Sequence, residues 1–350
     1  SRLVVDGASL RHLEITQNVR DGGRKGTLLA VLDKTKTAMG GRLLRKWLEA
    51  PLLRIGEITK RQDAVEDIIN HEIMRQDIAD TLDGIYDFER ILTRIETGTA
   101  SPKDLVALRE SLAVIPKLKN MIQGASSELL KELEARMSPH QDVYDLLCRG
   151  IKDEPGVVIR NGGVIRDGYS KELDEIRSIA ANSKEFLKKL EEEEKEKTGI
   201  KMKIGYTKVF GYYFEISHAN TLPIPDYYVR KQTLVNAERY ITPALKEFEV
   251  KVLTSQERML ALEYQLFGQI RQEIQGHITA MQQTARAIAR VDCLYSLACA
   301  AHDNRYVRPG LNRDQVIQIK DGRHPIIEQF LKNELFVPND VTMNHTNHEI

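Results

Sequence analysis

Apolar positions along the chain fall into three regimes. In the first, up to about Ile165, they recur at three- and four-residue spacing over short stretches, as on helices with one buried face. Leu28-Leu29, Val31-Leu32, Met39, Leu43-Leu44 and Trp47-Leu48 make one such run, which Pro51 stops. Ile58, Ala64-Val65 and Ile68-Ile69 make a second; Ile85, Phe88, Ile91-Leu92 and Ile95 make a third, closed by Gly98. Ser101-Pro102-Lys103-Asp104 has the make-up of a helix start, with Ser as N-cap and Pro in the first helical position. Leu105, Leu108, Leu112 and Ile115 follow it on one stripe. The pattern predicts a helical core over residues 1–165 and shows nothing resembling an active site.

The second regime begins after the breakers Gly162-Gly163 and Asp167-Gly168. Leu173, Ile176, Ala180, Ser183, Leu187, Leu190 and Glu194 step alternately by 3 and 4, a coiled-coil seam that turns polar at its end. One outgoing helix over residues 166–199 is predicted, capped by Gly199. Its run Glu191 to Lys197 pairs Glu with Lys four residues on and reads as a solvated face. The period then drops to two over residues 200–241: Met202, Ile204 and Tyr206 alternate with polar neighbours, as do Tyr212, Phe214 and Ile216. Gly211 suits a tight turn, Tyr228 through Val235 is extended, Asn236-Ala237 offers a turn, and Arg239-Tyr240-Ile241 ends the segment. This predicts a four-stranded antiparallel sheet with one wet face. Thr242-Pro243 opens a returning helix whose seam runs Leu245, Phe248, Val252, Ser255, Met259, Leu262, Leu266. From Leu266 the spacing becomes 4, 4, 4 through Ile270, Ile274 and Ile278, a stutter that also holds Gly268 and Gly276. A helix over 242–305 would run ~90 Å, with any bend falling in the stuttered stretch. The outgoing helix cannot bury its stripe alone, so it should lie antiparallel on the returning one. The returning helix outruns it and should dock on the first region. A sheet set between two heptad helices suits a protein that reaches around something large.

Residues 306–350 change again. Val316-Ile317-Gln318-Ile319 is a strand signal, Gly322-Arg323-His324-Pro325 a compact motif, and Phe336-Val337 follows. They read as the threshold of a further domain. No initiator Met is present, and the polar run from Asn344 to His348 precedes Glu349-Ile350, so a piece of a longer protein is expected.

Composition narrows the chemistry. The 350 residues are 41% hydrophobic, 29% charged and 6% aromatic, which suits a helix-rich globular protein. Lys+Arg and Asp+Glu both number 51, so any grip on a polyanion must be local. It is local to the sheet: between Lys201 and Lys246 there are seven basic residues and three acids, Glu215, Asp226 and Glu238. With Thr207, Gln232, Thr233, Asn236 and Tyr240 beside them, these are donors that phosphate oxygens accept from. Three cysteines without a CxxC pair point to a reducing cytoplasm. No apolar run approaches a membrane span, so no membrane partner is expected. GxxxxGK[ST], HExxH and zinc spacings are absent, so neither a cofactor nor a catalytic residue is expected in this chain. His324, between Arg323 and Pro325, reads as a turn residue.

Leu13-Glu14-Ile15, the block Val31 to Gly40, Gly205-Tyr206 with Gly211-Tyr212-Tyr213, Gln232-Thr233-Leu234 with Asn236 to Tyr240, and Gly322-Arg323-His324-Pro325 occur in order and at spacings that resemble the bacterial MutS family of DNA mismatch repair proteins. The resemblance covers essentially the whole chain. It implies a mainly α fold: a helical core, long antiparallel lever helices, a β clamp at the lever tips, and the first strands of an α/β ATPase domain. It also implies clamps that close over double-stranded DNA and touch phosphates. On charge and tip position, Lys208, Arg230, Lys231, Asn236 and Arg239 are the expected backbone contacts. Phe336-Val337 occupies the place of the pair that the family sets against adenine. ATP and Mg2+, a second subunit, downstream repair factors and a cytoplasmic, nucleoid-associated location are implied for the whole protein. The mismatch-reading domain and the ATPase body are absent from this stretch, so neither mispair recognition nor ATP turnover is expected of it. Two other readings stand beside this one: a mechanical coiled-coil spacer of a chromosome-maintenance ATPase, whose tip ignores DNA, and a MutS paralogue acting on recombination intermediates or ribosomes, which the sheet motifs disfavour.

Overall fold

The computed structural model describes residues 2–331 and 336–344. The chain is mainly helical. Helices α1 (Gly7–His12), α2 (Leu28–Leu32), α3 (Ala38–Glu49), α4 (Ile55–Asn70), α5 (Glu72–Asp83), α6 (Phe88–Thr97), α7 (Pro102–Ile122), α8 (Glu128–Arg136) and α9 (Gln141–Gly150) come first. Next come α10 (Lys171–Ala181), α11 (Ser183–Thr198), strands β1 (Met202–Thr207), β2 (Gly211–Ser217), β3 (Val229–Thr233) and β4 (Ala237–Ile241), and helices α12 (Pro243–Gln275) and α13 (Ile278–Asp303). β5 (Val316–Gly322), α14 (Pro325–Phe330) and β6 (Asn339–Asn344) complete the described residues. Two compact units emerge, one of Ser1–Ala100, Asp104–Asp145 and Ile274–Ile350, the other of Ser101–Lys103 and Leu146–Glu273.

The first unit closes around α13, which packs on α3, α4, α6 and α8 and is buried on most of its circumference. The expected stripes are inside: Leu105, Leu108, Leu112 and Ile115 on α7, and Ile91, Leu92 and Ile95 on α6, are at most 3% exposed. Gly98 ends α6 in the left-handed region at φ 76°, as a C-terminal cap requires. The Thr37 to Gly40 block is explained by a buried acid. Asp292 of α13 accepts from Lys36 N at 2.9 Å, Thr37 N at 2.8 Å and Thr37 Oγ1 at 2.6 Å. The same Thr37 hydroxyl caps α3 by accepting from Gly40 N. A Cβ on Gly40 would lie 2.1 Å from Asp292 Oδ2, so only glycine lets α3 approach α13 here. At the end of this unit β5 and β6 pair antiparallel. His324 takes a turn role: its Nδ1 accepts from Ile327 N and caps α14.

The second unit holds the heptad helices and the sheet. The outgoing helix is two helices, not one, interrupted at Asn182, whose φ of −83° and ψ of 0° end α10 and start α11. Its seam is nonetheless where the spacing put it. Leu173, Ile176 and Glu194 are buried, and Ala180, Ser183, Leu187 and Leu190 half-buried, between exposed neighbours. Arg177 meets Glu263, and Phe186 stacks on Phe248 at 5.1 Å; the opposite order of these contacts along the chain makes α10–α11 and α12 antiparallel.

The returning helix also departs from a single rod. It stops at Gln275 and restarts at Ile278, so the interruption at Gly276-His277 falls inside the stuttered stretch, while α12 passes through Gly268. The stutter rotates the buried stripe. Leu266 is only half-buried, and Glu263, Phe267, Ile270 and Ile274 carry the burial instead. Glu263, 1% exposed, accepts from the backbone N–H of Gly163, Val164 and Ile165 at 3.0–3.1 Å and pairs with Arg177 at 2.7 Å. This carboxylate is why Gly162-Gly163 interrupts the pattern: a Cβ on Gly162 would lie 2.6 Å from Glu263 Oε2.

Candidate nucleic-acid interface

The sheet has the order β1-β2-β4-β3, antiparallel throughout. β3 is shorter than the extended run from Tyr228 to Val235, since Leu234 already turns to accept the hairpin by donating to Ala237 O. Alternation sorts the side chains onto two faces. Met202, Phe214, Ile216 and Tyr240 line the dry face with Ile200, Tyr228 and Leu245, and Leu187 and Leu190 of α11 pack against them. This core is local, drawn entirely from residues 187–245. Beneath it Glu194 is buried and accepts from Tyr228 Oη at 2.7 Å and Tyr227 Oη at 3.1 Å. Burial and that hydrogen bond push the Tyr228 phenol well above its ordinary range. At the other end Glu249 of α12 accepts from Tyr212 N at 2.9 Å and fills the space a Cβ on Gly211 would need. Gly211, at φ 84°, is thus held by its turn and by its neighbour.

The wet face carries a row of polar side chains across all four strands, charged on three of them. Register places Lys203 beside Glu215, Glu215 beside Arg239 and Arg239 beside Gln232. Arg239 donates to Glu215 Oε1 at 3.2 Å and Gln232 Oε1 at 2.9 Å, and its guanidinium lies 4.4 Å from the Tyr213 ring centre. Tyr213 in turn lies across Gly205, where a Cβ would meet its hydroxyl at 2.3 Å. The two Gly-Tyr motifs are therefore parts of one stack: a bare backbone, a ring on it, a cation on the ring.

The five residues picked from the sequence do not form one cluster. Lys208 is exposed in the β1–β2 turn at one end of the sheet. Asn236 is exposed in the β3–β4 turn at the opposite end, where its carbonyl accepts from His218 N. Arg230 and Lys231 are exposed on β3, the edge strand, with the register shift between Arg230 and Gln232 setting Lys231 out of the ladder. Arg230 reaches Glu238 at 3.4 Å. Arg239 is half-buried in the row just described. Among the described residues, Lys201, Lys203, Lys208 and Lys231 have no carboxylate partner, whereas Arg230 and Arg239 do. Lys201 and Lys203 were counted in the charge excess but not singled out. The alternation of β1 would have found Lys203, which stands opposite the inward Met202 and Ile204. Phe336 is half-buried and Val337 75% exposed, just ahead of β6.

Long paired helices interrupted by a small basic sheet define a helical scaffold with a β insert. Residues 8–298 match the family model described as MutS domain III, and the chain belongs to the MutS family. It is 46% identical over 344 residues to the DNA mismatch repair protein MutS of Alkaliphilus oremlandii, covering 98% of this chain and 39% of that protein. The DNA mismatch repair protein MutS of Clostridium perfringens is 43% identical, with 99% of this chain and 38% of that protein covered. That of Caldanaerobacter subterraneus subsp. tengcongensis is 44% identical, with 99% and 40% covered. The chain thus spans about two fifths of the length of these relatives. No described helix is long and apolar enough to cross a membrane, and no cluster among the described residues would hold a metal ion.

Proposed function

We propose that this chain is the lever and clamp region of a DNA mismatch repair ATPase, gripping duplex DNA through its phosphates and passing nucleotide state to that grip. In this reading the core is 1–165, the levers are 166–199 and 242–305, the clamp is 200–241, and 306–350 opens the ATPase domain. The observation that carries it is the set of exposed, unpaired lysines on a sheet with its own core. Unpaired ammonium groups keep their full charge for phosphate and release counterions on contact. Lys208, Arg230, Lys231 and Asn236 are the proposed contacts. Arg239 contributes by aligning the row, and reaches phosphate only by giving up part of its hold on Glu215. The relatives' name, DNA mismatch repair protein, supports the substrate class.

The whole protein would take ATP and Mg2+, pair with a second MutS subunit and engage downstream repair factors in the cytoplasm, near the nucleoid. Phe336 and Val337 would face the adenine. By themselves they do not fit a nucleotide, because this chain has no GxxxxGK[ST] loop to hold its phosphates.

The test is binding of the chain to matched and mismatched duplexes across a salt series, alone and with Lys208→Ala and Lys231→Ala combined. Weak binding that ignores the mismatch is expected, with a shallower salt dependence in the double variant. A preference for the mismatched duplex, or no binding at low salt, would overturn the proposal.

A further inference from the structure

The first unit contains a concentration of positive charge that the clamp reading does not use. A cavity of about 800 Å³ opens among α3, α4, α8, α13 and the segment around Arg2. Arg2, Arg61, Arg136, Arg286 and Arg290 line it, and Trp47 forms part of its wall. None of these five guanidinium groups has a carboxylate hydrogen-bond partner among the described residues. The acids that also line it are engaged or distant: Glu89 is taken by Arg42 at 2.9 Å and Glu132 by Lys60 at 3.2 Å, while Glu57 is exposed and acts on Arg61 only through space.

The arginines repel one another. Arg286 and Arg290 stand one turn apart on α13, a spacing at which like charges destabilise a helix. Burial, then Arg290 and Arg2, pull Arg61 down to about 10. Burial, then Arg136, lower Arg290 in the same direction. Arg61 is further fixed by stacking on Trp47, its guanidinium carbon 3.7 Å from the ring centre. Arg61 and Arg290 are half-buried, while Arg2, Arg136 and Arg286 are exposed at the cavity's rim. Crowding these unpaired cations together does not stabilise the fold, and a bound anion would relieve their repulsion. The volume is that of a small-ligand site. Guanidinium forks match phosphate oxygens two at a time.

We propose that this cavity is a binding site for a small polyphosphate anion, such as the di- or triphosphate group of a nucleotide. The site is separate from the sheet, and its test stands apart from duplex binding. The chain is titrated calorimetrically with inorganic tripolyphosphate, with citrate and an oligo-aspartate peptide as comparisons, all at constant ionic strength. Saturable binding of tripolyphosphate at one site is expected. Arg61→Gln or Arg290→Gln should weaken it at least tenfold, and Lys208→Ala with Lys231→Ala should leave it unchanged. Without ligand, Arg290→Gln should melt at or above the temperature of the parent chain, because repulsion is relieved; a merely structural arginine would lower it. Should Arg61→Gln fail to fold, Arg286→Gln, on the exposed side of α13, carries the same comparison. Absence of saturable binding would overturn the proposal, as would binding indifferent to these arginines. Tighter binding of oligo-aspartate than of tripolyphosphate would also overturn it, and would assign the cavity to an acidic segment of a protein.

Discussion

Two buried side chains show how a single residue can hold one unit together from within. Glu263 serves three backbone N–H groups and Arg177, so Glu263→Ala leaves several buried donors and a cation without a partner. A loss of about 3–5 kcal/mol is expected, read from urea unfolding of the chain. His140 is 6% exposed and meets Thr284 Oγ1 at 2.7 Å. Burial, opposed by Asp142 and aided by His277, holds its imidazole below the ordinary 6.5. The fold therefore favours the neutral ring. That contribution is complete above pH 6.5 and is lost as the pH falls through the lowered folded value. Unfolding midpoints of the parent and His140→Gln, taken between pH 5 and pH 8, should differ in slope below neutrality, with the flatter line belonging to the variant. Neither residue was legible in the sequence. Glu263 and Asp292 sit on helices among many other acids, and spacing does not separate a carboxylate that meets backbone from one that meets water. Arg239 was legible as a cation but not as the cap of a stack, because its partners come from two other strands, Glu215 and Tyr213 on β2 and Gln232 on β3.

At the scale of elements, period carried further. The 3 and 4 stepping from Leu173 marked the side of α10 and α11 that is buried, and the alternation around Phe214 marked the dry face of the sheet. Where helices stop mid-run was less visible. Asn182 interrupts without breaking the seam, and nothing in its neighbours announces it. The interruption at Gly276-His277 was foreshadowed by the stutter, which also explains why Phe267 displaces Leu266 from the buried stripe. The β1–β2 hairpin rests on Gly211. Gly211→Ala would hold alanine at φ 84° and drive its methyl into Glu249, the acceptor of Tyr212 N. A cost of about 1–3 kcal/mol for the strain alone is expected, with amide exchange in β1 and β2 quickening more than in α13.

For the molecule as a whole, zero net charge conceals local excess. The sequence showed the excess in the sheet because its seven cations lie within one segment. It concealed the cavity arginines, which come from residues 2, 61, 136, 286 and 290 and meet only in the folded first unit. The family resemblance rested on blocks whose physical roles are now plain: Thr37 and Gly40 admit Asp292, and Gly205 and Gly211 make room for Tyr213 and Glu249. If the exposed lysines of the sheet meet phosphates, removing Lys208 and Lys231 should reduce the slope of log affinity against log salt by about 2. A uniform loss of affinity at unchanged slope would mean that these two cations never touched the backbone.

The first unit is discontinuous in the chain, and α13, its central helix, belongs to the part that begins at Ile274. During synthesis, residues up to Asp145 leave the ribosome with the surfaces of α3, α4, α6 and α8 still lacking the helix that covers them. They wait while the whole second unit is made, on the order of ten seconds at ordinary translation speeds. The sheet and its helices can close first, on their own core. Until α13 is made, the uncovered faces of α3, α4, α6 and α8 are the apolar surfaces on which a chaperone could act.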